Sequence, residues 1–225
     1  HFVPSAIFAS CSQSSDIPMW NDDYRCPTCG APLPVKNRFV RVVACDFCAN
    51  VSVLVDDTLT ASGCVAALTP MPSMFYLDAR GTLKGRLFSA IGRLRYSYGD
   101  GQWDEWFLSF ENGESGWLQE DAGVFTYFDR TAVTADAPPY RRARAGATIQ
   151  IGEQSMTVTE KGSAQIVGVQ GQVGFPVVPG EPIMYVDGTA GDKKVSLEYA
   201  GYEVELSVGY LVSRDELTVK EEVWS

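Results

Sequence analysis

From Met74 onward hydrophobic and polar residues alternate with a period of two, and no window holds an amphipathic helix of about twelve residues or more. That is the pattern of strands with one face buried, so the chain is expected to be mainly β. The best-marked part is a meander. The run Gly92-Arg-Leu-Arg-Tyr-Ser-Tyr98 and the run 102–110 flank Gly99-Asp100-Gly101. Taken as a three-residue loop, those residues set Leu94 opposite Trp106 and Arg95 opposite Glu105. Asn112-Gly113 reads as a two-residue type I′ turn, because both residue types tolerate positive φ, and sets Leu108 opposite Trp117. The two turns agree: Leu94, Trp106, Leu108 and Trp117 share one buried face, and Arg95 lies beside Glu105 on a wetter one.

After Val124-Phe-Thr-Tyr-Phe128 the stretch around Pro138 and Pro139, with Arg141, Arg142 and Arg144, marks a connection over the surface. Strand-like runs then resume, among them Met156-Thr-Val-Thr-Glu160, Pro182-Ile-Met-Tyr-Val-Asp187 and Val204-Glu-Leu-Ser-Val208. The expected organisation is an amino-terminal arm (1–22), a small metal ribbon (23–57), a first β-unit (74–134) and a second β-unit (146–219). The β-region is either a barrel or a sandwich, built as two divergent units or as one fold spanning both halves. The arm carries small residues before Cys11, like the end of a lipoprotein signal, but has no basic start and is read as an arm.

The cysteines give the strongest chemical signal. Cys26-Pro-Thr-Cys29 and Cys45-Asp-Phe-Cys48 form the paired Cys-x2-Cys spacing of a zinc ribbon, with four thiolates for one tetrahedral ion. Four sulfur ligands leave no open position for water or substrate, so the expected Zn is structural. Replacing Cys26 by Ser is expected to unfold the ribbon and leave the β-region's thermal transition intact. Two disulfides are the competing reading. Cys11 and Cys64 read as free thiols, and a reduced, cytoplasmic compartment suits them and the zinc thiolates.

Charge and composition narrow the function. Twenty-eight acids against 18 Lys and Arg give a formal charge of -10, the wrong sign for a phosphate backbone, so nucleic-acid binding is not expected. No apolar run reaches the roughly 18 to 20 residues of a transmembrane helix, which leaves peripheral membrane association through a partner. The one histidine is His1, so histidine-based acid/base chemistry is not expected. No nucleophile elbow, Walker loop or dinucleotide glycine pattern is present, and no catalytic residue is assigned.

Between Tyr96 and Asp129 stand eight acids and no Lys or Arg, interleaved with Trp103, Trp106, Trp117, Tyr96, Tyr98 and Tyr127. Carboxylates supply charge and ring faces attract ammonium groups, so Trp103, Asp104, Glu105, Glu120 and Asp121 are the candidate ligand-binding residues for a polyamine or another organic cation. The plain alternative is the solvated face of a sheet whose other face holds the tryptophans.

A Cys-Pro-x-Cys-Gly-Ala-Pro-Leu knuckle at 26–33 is followed by Leu83-Lys-Gly85, Ile91-Gly-Arg93, Trp103-Asp-Glu-Trp106, Gly116-Trp117-Leu118 and Glu120-x-x-Gly123. Together these resemble the bacterial proteins of the domain of unknown function 4178 family, several of which carry an amino-terminal zinc ribbon. The family's usual Gly-Glu-Trp stands here as Gly209-Tyr210-Leu211, which puts in doubt any role ascribed to that place. The resemblance implies a β-rich cytoplasmic protein without known catalytic residues, linked to envelope stress or polyamine biology. The expected function is therefore a non-enzymatic adaptor or scaffold that binds a protein partner. A receptor for polyamines or other organic cations is the alternative, and an enzyme with an unrecognised site the second alternative.

Overall fold

The computed structural model describes residues 24–65, 68–130, 134, 136–177, 180, 182–200 and 203–220. The arm 1–22 with His1 and Cys11 lies outside the described residues, as does the Cys64 side chain, and with them the two free-thiol readings. Three strands come first: β1 (Val42–Ala44), β2 (Asn50–Val55) and β3 (Thr58–Val65). The meander follows as β4 (Arg80–Leu83), β5 (Arg86–Tyr98), β6 (Gly101–Phe110), β7 (Ser115–Asp121) and β8 (Val124–Arg130). After a short 3-10 turn at Tyr140–Arg142 come β9 (Thr148–Ile151), β10 (Gln154–Val173), β11 (Pro182–Ala190), β12 (Lys193–Ala200), β13 (Glu203–Val212) and β14 (Leu217–Val219). No α-helix occurs among the described residues, so none of them forms a helix long and apolar enough to cross a membrane.

The strand order β5-β6-β7-β8-β13-β12-β11-β10 returns to β5, because β10 pairs with β5 as well as with β11. Eight antiparallel strands thus close a barrel, four from 74–134 and four from 146–219, around one interior. β10 makes closure possible by its length of 20 residues. It pairs with β9 at its start, then with β11, then with β5, and at its end with β1.

Both faces of the barrel wall are covered. The ribbon's Val40, Val42, Val43 and Val51 join Leu94, Phe107, Trp117 and Val173 in one core that runs from the ribbon into the barrel's interior. Outside the meander a second core packs Phe75, Trp106, Leu108, Phe110, Leu118 and Leu217. Outside the other half, Ile149 and Ile151 of β9 cover Met156, Val158, Val186 and Leu197.

This double covering overturns the register expected for the meander. Tyr98 pairs with Gly101, so the first loop has two residues, and Gly99 at φ 46° takes the first turn position, where a type II′ turn calls for glycine. Leu94 then faces Glu105, Arg95 faces Asp104 and Arg93 faces Trp106. At the second turn the Phe110 N–H bonds to the Glu114 carbonyl and Gly113 adopts φ 81°, a three-residue loop with its glycine in the left-handed region. Trp117 therefore faces Phe107, and Trp106 faces Leu118. Leu94 and Trp117 lie in the interior core while Trp106 and Leu108 lie in the outer one. Each turn is displaced by one residue in the same sense, so their mutual agreement could not reveal the error. Arg95, expected on a wetter face beside Glu105, is 1% exposed and sits across from Asp104.

The ribbon docks on one end of the barrel. Val42 and Val43 pair with Val173 and Gln172. The Gln172 side chain accepts from the Lys36 backbone N–H at 2.7 Å and donates to the Pro34 carbonyl at 2.6 Å. Buried Asn37 donates to Ser109 Oγ at 2.7 Å, fastening the ribbon to β6. That end is filled by Phe107, Trp117 and Phe175, with ring centroids 4.9 and 5.0 Å apart.

Candidate functional sites: an acidic barrel cavity and a four-cysteine cluster

Strands alternate their side chains between the two faces, so in a closed barrel every second residue points inward. On β6 these are Trp103, Glu105 and Phe107, and on β7 Trp117, Gln119 and Asp121. On β12 they are Lys194, Ser196 and Glu198, flanked on β11 by Tyr185 and Asp187. Away from the aromatic plug these residues enclose a cavity of about 220 Å³. Five carboxylates line it, from Glu105, Asp121, Glu160, Asp187 and Glu198, against the single ammonium of Lys194.

Aromatic rings form one wall. Trp103 stacks on Tyr96 at 4.8 Å, tilts against Tyr98 at 5.2 Å and meets Tyr185 edge-on at 5.7 Å. Tyr185 donates its hydroxyl to Glu160 Oε1 at 2.9 Å, at the rim where Glu160 is exposed. Crowded acids show in the ionisations. Burial, together with Glu198 and Glu160, raises the Asp187 carboxyl to about 6, against the pull of Ser196 and Lys194. Burial and then Glu160 raise Asp121. The Asp121 charge, then burial and Glu160, raise the Tyr98 phenol.

Of the five ligand-binding residues expected from sequence, Trp103, Glu105 and Asp121 line this cavity, and Asp104 and Glu120 face the outside of the wall. Asp104 is locked between two arginines: Arg95 donates through Nε at 2.8 Å and Nη2 at 2.9 Å, and Arg93 through Nη2 at 2.6 Å. Burial raises its carboxyl while the bonds and charge of Arg95 pull it down. Glu120 accepts from Trp106 Nε1 at 2.9 Å and from Ser73 Oγ at 2.6 Å, which fixes the segment crossing over the outer core. These two carboxylates hold the wall together and do not face the cavity.

Glu160, Asp187 and Glu198 lie beyond the acid-rich stretch from Tyr96 to Asp129, where composition alone does not mark them. A signal was present. In Lys194-Val-Ser-Leu-Glu-Tyr199 the polar residues take alternate positions, and in this barrel that polar face is the inner one, because Val195 and Leu197 are covered from outside.

The second site is the cysteine cluster. The four Sγ atoms of Cys26, Cys29, Cys45 and Cys48 all lie within 4.8 Å of one another, with no disulfide among them. Cys26 to Cys48 and Cys29 to Cys45 each span 3.7 Å. A tetrahedral ion with sulfur at about 2.3 Å has edges near 3.8 Å, so the cluster fits a metal ion. Each knuckle closes on a backbone bond, Gly30 N–H to Cys26 carbonyl at 2.9 Å and Ala49 N–H to Cys45 carbonyl at 2.8 Å. Burial works to raise the Cys26 thiol, but the backbone N–H groups of Cys29 and Thr28 and the neighbouring sulfurs bring it to about 6. Cys29 goes the other way, to about 12: the Ala31 N–H lowers it, and burial with the other three sulfurs raises it. One thiolate therefore opposes the next until a cation joins them.

Fold and sites together define a ribbon-capped, closed eight-stranded β-barrel with an acidic interior. The chain belongs to the family described as Domain of unknown function (DUF4178), which matches residues 77–214, more than half of its length. The matched span covers the barrel and leaves the ribbon outside. Comparison with curated proteins and with solved structures gave no match.

Proposed function

We propose that the barrel is a binding module for a small organic cation, and that the cavity at the end away from the ribbon is its site. The observation that carries this reading is the convergence of five carboxylates and the Trp103 and Tyr185 rings on one concavity with a single opposing charge, Lys194. Carboxylates spread over a convex sheet gain only screened attraction, whereas in a low-dielectric cavity the same charges act together. A volume of about 220 Å³ suits a compact or slender ligand. The module binds and is assigned no reaction. Calorimetry with spermidine is the test, with an expected dissociation constant below about 100 μM, or roughly 5.5 kcal/mol, weakened by salt. Glu105→Gln and Asp121→Asn should weaken binding, and Glu120→Gln, outside the wall, should not. A flat titration at moderate salt overturns the reading.

The ion at Cys26, Cys29, Cys45 and Cys48 is proposed to be zinc in a structural role, because four thiolates complete its tetrahedron. Elemental analysis of protein purified without chelator should find one zinc per chain. Stoichiometric iron, or no metal, overturns that assignment.

A second reading, the adaptor, draws on Phe47. It sits between two ligating cysteines and is 76% exposed, a large apolar side chain held out on a rigid knuckle. Such a tip suits a protein partner, and it does not compete with the cavity.

A further inference from the structure

Resting on the cation-binding reading of the cavity, we propose that Asp187 is the cavity's anchor and that it selects ligands whose ammonium group carries N–H, primary or secondary, over quaternary ones. Asp187 is the middle of a three-strand inward row, paired with Glu160 on β10 and Ser196 on β12. The residue lines the cavity and its carboxylate takes one hydrogen bond from Ser196, yet its Oδ1 is buried and receives none among the described residues. A buried acceptor left unpaired is costly, and an N–H donor in the cavity that meets Oδ1 as the carboxylate turns toward it removes that cost. A quaternary ammonium has no N–H. It gains the charge and ring-face attraction of the cavity but leaves Oδ1 as it was.

A bare metal ion fits less well. Among the described residues only the four cysteines bring three or more ligating side chains close enough to hold one. The carboxylates stand further apart, as suits an extended cation with several donors. The charged and titratable groups facing Asp187 are Glu160 from β10, Tyr185 from its own strand, and Lys194 and Glu198 from β12. Across the cavity stand Tyr98, Glu105 and Asp121. Burial first, and then the charges of Glu198 and Glu160, raise the Asp187 carboxyl to about 6 against Ser196 and Lys194, so a bound cation should displace its proton.

The test is calorimetry with spermidine and with its fully N-methylated, tris-quaternary analogue of the same charge, on the full chain and on Asp187→Asn. Spermidine should bind the unmodified chain about 10- to 100-fold more tightly than the analogue, the range of one charge-assisted bond. In Asp187→Asn that preference should collapse to within a few-fold. Near pH 6, spermidine binding in buffers of different ionisation enthalpy should release a proton from the unmodified chain and not from the variant. The variant should fold: a carboxyl raised from 3.8 to about 6 costs stability as pH rises through that window, and Asn removes the cost, so its midpoint at pH 7 should not fall. Equal affinity for the two probes overturns the anchor while leaving the cation site. A preference that survives in Asp187→Asn also overturns it, assigning selection to steric fit. Binding of neither probe overturns both readings.

Discussion

Stripping the metal from the four cysteines is expected to lower the thermal midpoint of the barrel as well as to unfold the ribbon. Independent transitions are what the sequence leads one to expect, since a ribbon held by metal has little core of its own. The structure removes that independence. β1 continues the β10 ladder, Gln172 bonds to the ribbon backbone on both sides of its amide, and Val40, Val42 and Val43 close over the end where Phe107, Trp117 and Phe175 sit. Losing that cover exposes two or three large apolar side chains at about 1.5 to 3 kcal/mol each, so roughly 5 kcal/mol. At about 2 to 4 °C per kcal/mol for a chain of this size, the midpoint should drop by about 10 to 20 °C. Tryptophan fluorescence followed during heating, with and without chelator, reads the effect through Trp117. An unmoved barrel transition after complete metal loss would show that the two parts fold separately.

Asp104→Ala is expected to be the most damaging single change in the barrel wall. It removes the only carboxylate in ion-pair contact with Arg93 and Arg95 among the described residues, and the two arginines are 8% and 1% exposed. Breaking a buried pair by deleting one partner costs about 3 to 5 kcal/mol, because the remaining charge stays buried. Here two charges stay. Arg95 also donates to the Thr69 carbonyl and Arg93 lies over the Trp106 ring at 4.7 Å, so the damage should spread to the outer core. Chemical denaturation should show the loss in the midpoint. Replacing Arg93, Arg95 and Asp104 together by apolar residues of similar volume should recover most of it. A loss below about 1 kcal/mol for the single change would mean the arginines find other partners.

The β class, most of the barrel strands and the four-cysteine cluster were legible in the sequence because each rests on a local signal: alternation, turn residues, Cys-x2-Cys spacing; the strand at Thr58–Val65, whose small residues read as a linker, was not. The register was not. One-sided burial is the assumption that turns alternation into register, and here Trp106 is buried outside the wall and Trp117 inside it. With both faces apolar, a slip of one residue costs the pattern nothing. The same blindness split the candidate site. Composition marks Trp103, Glu105 and Asp121, but the assumption of one wet face could not separate them from Asp104, buried against two arginines, and Glu120, half-buried against tryptophan. Glu160, Asp187 and Glu198 join them only through closure of the sheet, a long-range event that no window of sequence contains.

Closure also fixes the order in which the chain can assemble. Each hairpin of the meander and of β11 to β13 joins neighbours in sequence and forms on microsecond time scales. The β5–β10 and β8–β13 ladders join opposite halves of the chain and bring no return until both halves are largely in place. Before they zip, β5 and β10 each present an unpaired edge, and the acids of the future cavity are still in water. Until closure removes it, an open β5 or β10 edge is a template for the same edge of another molecule.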